Sequence, residues 1–276
     1  MSLDKPKRIE ECLLKHLQAG PALMINLVEK IKKDRPNTTK QAVYAAIRAL
    51  KKSEQVLTYK GTASLNLTWL NSMVNYFDLA RHNYIKTEGG RNNFLDLDDK
   101  EKIKYYFQDS IKGDIFWTHA LYLLVERSDQ GDPIFFYNPH EWFLLARNEN
   151  ELNIFETINK KGRRLFLTAG NRLFLDRYVK KYFDNNLSQY HAKESPLFKE
   201  SNYYLNIVGD FLIEAWLDKK ITDKIEKFYQ DTASWSEAAH EKLQNIASMD
   251  GQMKIVISRN HKKAEKIKNS LKKYFV

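Results

Sequence analysis

Three successive apolar stripes of helical period open the chain. Ile9, Cys12, Leu13, His16 and Leu17 mark the first, and Met24, Leu27, Val28 and Ile31 mark the second, after a break at Gly20-Pro21. The third runs through TKQAVYAAIRALKK to about Lys52, with Asn37 or Thr38 as its cap and Pro36 barring helix before it. With residues advancing by about 100° each, Val43, Ala46, Ile47 and Leu50 share one side and predict a buried stripe. Gln41, Tyr44, Ala45, Arg48 and Lys52 point the other way. QVLTY, the turn pair Lys60-Gly61 and TASLNLTWL then read as a two-stranded hairpin with Lys60 at its tip. Leu70, Met73, Val74, Phe77, Ala80 and Tyr84 return to helical spacing, and YIKTEGGRNN, residues 84–93, interrupts it as a linker.

Beyond the linker the two periods alternate. Asp98 and Glu101 form a capping box that predicts a helix through KIKYYF, and FWTHALYLLVER predicts a buried one. IFFY is a strand after the turn Gly131-Asp132-Pro133; a helix follows from about His140 toward Asn159, broken near Asn148. RRLFLTA (163–169) is strand, 171–183 helix, and YYLNIV with FLIEAWL a hairpin across Gly209-Asp210. KKITDKIEKFYQ and SWSEAAHEKLQNIA are helices, MKIVIS is a strand, and HKKAEKIKNSLKKYF closes the chain as a helix packing through Ala264, Ile267, Leu271 and Tyr274. This predicts an α+β or α/β protein: a three-helix head with a hairpin over 1–70, a linking helix and linker over 71–93, and a body over 94–276 built on a small mixed sheet.

Charge changes the picture more than length does. The 276 residues suffice for one large or two ordinary domains, and 45 basic against 35 acidic side chains give +10. Residues 1–70 and 254–276 each carry +7, which leaves 71–253 at −4. Two basic ends on a slightly acidic body suggest local contact with a polyanion. The single cysteine, Cys12, excludes an internal disulfide and fits a core position in a reducing compartment. No segment reaches the roughly 20 apolar residues of a membrane span, so we expect a cytoplasmic protein without a membrane partner.

The outer face of 39–52 has no acid and offers an amide at Gln41, a phenol at Tyr44 and a guanidinium at Arg48, with the small Ala45 permitting close approach. Gln pairs with adenine, Arg with guanine, and Lys40, Lys52 and Lys60 suit phosphates. The same face also reads as a solvated basic helix surface. KQAVYAAIRALKKSEQVLTYKG resembles the recognition helix and wing of bacterial and archaeal winged helix-turn-helix transcription regulators. That resemblance covers about a quarter of the chain and implies double-stranded DNA as partner; winged helices also serve as protein-interaction modules. A helix between a DNA-reading head and a body often pairs with its copy in a homodimer, and this one, through Met73, Val74 and Phe77, either pairs so or packs on its own body.

Catalytic patterns are sparse. There is no phosphate-cradling glycine loop, no G-x-S-x-G and no H-E-x-x-H, and Asp96, Asp98 and Asp99 lack the spacing and glycine of a calcium loop. His119, inside an apolar helix, is expected in the core. His191-Ala192-Lys193 starts the H-x-K-x-x-x-x-D pattern of the phospholipase D superfamily, but Phe198 stands where its Asp belongs. RRLFLTAG with its following helix, and YYLNIVGDFLIEAWLD with KKITDKIEKFYQ, loosely resemble the effector domain of TrmB-type regulators, an inert domain of phospholipase D-like fold. That resemblance implies a transcription regulator sensing an unidentified small molecule or partner, with no cofactor, no metal and no enzymatic activity of its own. An enzyme acting on nucleic acid is the alternative.

Overall fold

Thr39, one residue later than expected, caps the third helix: its hydroxyl accepts the Ala42 N–H at 3.1 Å. In the computed structural model, which describes residues 8–86, 93–183 and 187–275, the chain forms two units, 1–87 and 88–276. The first contains α1 (Ile9–Leu17), the short strand β1 (Ala22–Leu23), α2 (Met24–Asp34), α3 (Lys40–Lys52), β2 (Val56–Tyr59), β3 (Thr62–Leu65) and α4 (Leu67–Lys86). The apolar stripes converge as their spacing requires. Cys12, Leu13, Leu17, Leu27, Ile31, Val43, Ile47 and Leu50 form one buried cluster with Val56 and Ala63 of the hairpin. Lys60 and Gly61 both adopt positive φ, 45° and 78°, which suits a two-residue turn that follows the strands' twist. β1, which periodicity does not reveal, pairs antiparallel with β3 and completes a sheet of order β1-β3-β2.

The Thr39 cap yields a direct prediction. Thr39→Ala leaves the Ala42 N–H without its acceptor and should cost about 1 kcal/mol of local stability. Hydrogen exchange of the α3 amides reads this; unchanged protection would mean that the cap contributes nothing.

The second unit contains β4 (Lys102–Asp109), α5 (Ser110–Arg127), β5 (Ile134–Asn138), α6 (Trp142–Ala146), α7 (Asn148–Lys160), β6 (Leu165–Ala169), α8 (Phe174–Val179), β7 (Ser188–Ala192), β8 (Tyr203–Val208), β9 (Phe211–Leu217), α9 (Lys219–Asp231), α10 (Glu237–Ala247), β10 (Asp250–Arg259) and α11 (His261–Lys272). Its mixed sheet has seven strands in the order β4-β10-β9-β8-β5-β6-β7, larger than expected; β5, β6 and β7 run parallel and the other pairs antiparallel. Both faces are covered at β5: Ile134 and Phe136 join the larger core, while Phe135 and Tyr137 join a second beneath Ala264 and Leu271 of α11. This explains why IFFY is apolar without alternation.

Three expectations are corrected. The segment after Glu101 is strand β4, not helix: the Glu101 carboxylate accepts the Asp98 N–H at 3.0 Å but closes only a turn. Ile103, Tyr105 and Phe107 pair in register with Ile257, Ile255 and Met253 of β10, so period two governs there. The expected helix over 171–183 is confined to α8 and a 3-10 turn, Lys180–Phe183. SQYHA, whose five residues show no clear period, is edge strand β7 beside β6. Most of the expected linker, residues 87–92 with Gly89-Gly90, lies outside the described residues.

Candidate nucleic-acid interface and polar sites of the body

α3 separates its residues by face. Val43, Ala46, Ile47 and Leu50 are buried, whereas Lys40, Gln41, Ala45, Arg48 and Lys52 are exposed. Tyr44 is half-buried against the head core, with the Lys40 ammonium 5.9 Å from its ring. Lys60 sits at the hairpin turn, 5.3 Å from the ring of Tyr59, which is 73% exposed. The head thus exposes Lys40, Gln41, Arg48 and Lys52 on a helix and Lys60 at a turn. Tyr59 and Leu57, also exposed, were not singled out by sequence, since alternation in a four-residue strand does not say which side meets solvent. On α4, Val74 (56% exposed) and Phe77 (63%) face outward with Tyr76 and Leu79, and Met73 is partly covered. Tyr76 and Phe77 meet edge to face at 5.5 Å.

In the body, His191 and Lys193 stand at the end of the edge strand, beside an open cleft of about 650 Å³ that Arg172, Arg177 and Lys180 also line. His191 stacks on Tyr274 at 4.9 Å, and Lys193 donates to the Tyr274 hydroxyl at 2.6 Å. Burial and then the neighbouring Lys193, Arg172 and Lys180 lower the His191 pKa. Glu194 in this cleft is held by Arg172 at 3.1 Å. Phe198 packs its ring against Tyr137 and Tyr203, at 4.8 and 4.9 Å, so the residue at the Asp position of the pattern belongs to the core.

Two buried polar groups lie deeper. His140, after β5, meets the Asp176 carboxylate of α8 at 2.9 Å through Nδ1 and Glu226 of α9 at 3.4 Å through Nε2. Burial pushes the His140 pKa down, but the two carboxylates more than reverse this and hold it up to about 9. The second group joins Asp114 of α5, Glu141 at the start of α6 and Glu151 of α7, all buried, with Arg147 ion-paired to Asp114. Burial raises Asp114 to about 6 and Glu141 to about 7, and raises Glu151 well above the ordinary range. Sequence did not single out this group: Asp114 precedes the apolar run FWTHALYLLVER, and Glu141 and Glu151 lie in or beside helices whose period does not mark them. His119, expected in the core, is exposed, because the inner face of α5 is Ala120, Leu121, Leu124 and Val125.

Among the described residues no group of three or more His, Cys, Asp or Glu side chains is arranged to hold a metal ion, and no helix is long and apolar enough to cross a membrane. Compared with known proteins, the chain matches no protein-family model and no curated protein.

Proposed function

We propose that this protein is a cytoplasmic, homodimeric DNA-binding transcription regulator whose head is a winged helix-turn-helix and whose body is a TrmB-like dimerisation or sensing domain. The observation that carries this reading is the acid-free outer face of α3, where Gln41, Arg48 and Lys52 are exposed, together with an exposed Lys60 at the hairpin turn. On this reading α3 enters the major groove. Gln41, Tyr44 and Arg48 read base edges, Lys40 and Lys52 flank them at phosphates, and the hairpin acts as a wing with Lys60 on the backbone. The order helix, short strand, helix, helix, hairpin supports the fold assignment.

Selection of bound duplexes from a random pool tests the proposal. An enriched sequence with two-fold symmetry is expected; a pool that stays random while no duplex is retained would remove it. The exposed Leu57 and Tyr59 favour one second reading, in which the hairpin docks on another protein. That reading predicts retention of no duplex at all.

The proposed dimer contact is α4. Its outward Val74, Tyr76, Phe77 and Leu79 form an apolar surface that a second copy would cover. Phe77→Asp places a charge in that contact, and light scattering should find a folded monomer that binds the selected site more weakly. A parent protein that is already monomeric at tens of micromolar would defeat the idea.

A further inference from the structure

A small chamber of about 40 Å³ lies between α5, α6, α7 and the face of β8, β9 and β10. Asp114, Glu141 and Glu151 project three carboxylates to it, each at least nine-tenths buried. Arg147, bound to Asp114, is the one cation held there among the described residues, so acids exceed bases by two. Asn138 donates to one oxygen of Glu141. Two polar atoms remain without a partner: Oε1 of Glu151 and Nδ2 of Asn206, whose Oδ1 already accepts the Trp117 indole N–H at 2.5 Å. The remaining wall is apolar, with the aromatic Trp117, Phe143 and Tyr204 on one part and Ala215, Leu217 and Met253 on the other. The three aromatic residues are partly exposed.

We infer that this chamber binds the ammonium group of a small organic amine, with Glu151 accepting from the ammonium and the aromatic part of the wall against its charge. Two buried carboxylates in excess of the one cation are neutralised by protons or by a bound cation, and the unpartnered Oε1 of Glu151 offers the cation its acceptor. Aromatic faces favour an organic ammonium, which retains a distributed charge and several N–H donors. A bare metal ion fits poorly, since among the described residues no three acids are arranged to ligate one. The orphaned Asn206 amide needs an acceptor within reach of the same ligand, which a hydroxyl next to the ammonium supplies. The volume admits the head group alone, so the ligand is a small one or one whose remainder lies outside the chamber.

Protons compete with such a ligand. Asp114 on α5, Glu141 before α6 and Glu151 on α7 all have raised pKa values, chiefly through burial. Around them stand Arg147, which lowers Asp114 and Glu151, and Asp176, which raises Glu141. Tyr122 of α5 and Tyr204 of β8 are phenols with pKa values raised by burial, while β9 and β10 contribute only Ala215, Leu217 and Met253. A cation stabilises the ionised carboxylates, so binding releases protons and tightens as pH rises through the range of about 6 to 7.

Ethanolamine is the probe. Calorimetry and tryptophan fluorescence on the full chain, without DNA, should show saturable binding of one equivalent. The affinity should rise by about tenfold between about pH 5.5 and pH 8, one pKa unit of linkage. Glu151→Gln should weaken it by at least about tenfold, as a charge-assisted hydrogen bond is lost. Ethylene glycol, neutral and of the same size, should not bind. No saturable binding of ethanolamine, equal binding of ethylene glycol, or an affinity that falls with pH would each overturn the inference. If Glu151→Gln does not fold, the pH dependence of the unaltered protein decides. Since no DNA is present, the outcome is independent of the proposed regulator function.

Discussion

Replacing Asp176 by Asn should destabilise the body by about 3 kcal/mol near neutral pH, the scale expected when one partner of a buried ion pair is removed. Asp176 and His140 are 0% and 1% exposed and meet at 2.9 Å. The imidazole also stacks on Tyr229 at 4.0 Å, which leaves it no path to water on that face. Asn is the appropriate replacement because Asp176 also accepts the Leu173 N–H at 3.0 Å, a bond that an amide oxygen can retain. The variant therefore removes the charge without removing the cap of α8.

The pH profile follows from the same pair. His140 is raised from an ordinary value near 6.5 to about 9 in the folded chain. A group raised on folding binds its proton more tightly in the native state, so its stabilisation is complete below about pH 6.5 and is lost as pH climbs through about 9. Urea denaturation followed by tryptophan fluorescence suits the measurement, because Trp117, Trp142, Trp216 and Trp235 all belong to the body and Trp69 alone to the head. The unaltered protein should lose stability between pH 6.5 and 9, and Asp176→Asn should flatten that decline. Identical profiles for the two proteins would show that the pair is energetically idle.

Arg48→Ala should cost about 1–3 kcal/mol on the selected DNA site and relax the base preference at one position, if α3 reads the major groove. Arg48 is exposed and lies on the face opposite Val43, Ile47 and Leu50, so its loss leaves the head core intact. Lys52→Ala provides the contrast. A phosphate contact carries no base information, so this variant should weaken all duplexes alike and reduce the slope of log affinity against log salt by about 0.9. Fluorescence anisotropy over a salt series on selected and scrambled duplexes separates the two. If both variants bind every duplex as the parent does, the head is not a DNA reader.

The basic C-terminal helix separates local from tertiary information. Ala264 and Leu271 of α11 are buried and Lys262, Lys266 and Lys273 are exposed, as the spacing predicts. Lys263 is exposed like them but also reaches Glu214 of β9 at 2.8 Å, and Lys268 is buried beside Glu265. Period along a helix assigns a face to each residue; it does not say what the neighbouring strand presents.

Sequence by itself determined the helices α1, α2, α3, α9, α10 and α11, the hairpin of β8 and β9, and the uneven distribution of charge. Each is encoded within a single turn or a single amphipathic repeat, where neighbours in the chain are also neighbours in space. The same locality made the acid-free face of α3 legible. Tertiary structure alone decided β4, β7 and the polar sites. β4 and β7 are edge strands whose identity comes from partners distant in the chain, β10 and β6. The capping signal at Asp98 and Glu101 was satisfied by a turn, and strand pairing then prevailed over it. His140 with Asp176 and Glu226, and Asp114 with Glu141 and Glu151, meet only because the α/β crossovers return to one side of the sheet. Burial of charge is a property of that enclosure, and no local pattern of residues encodes a distance across it.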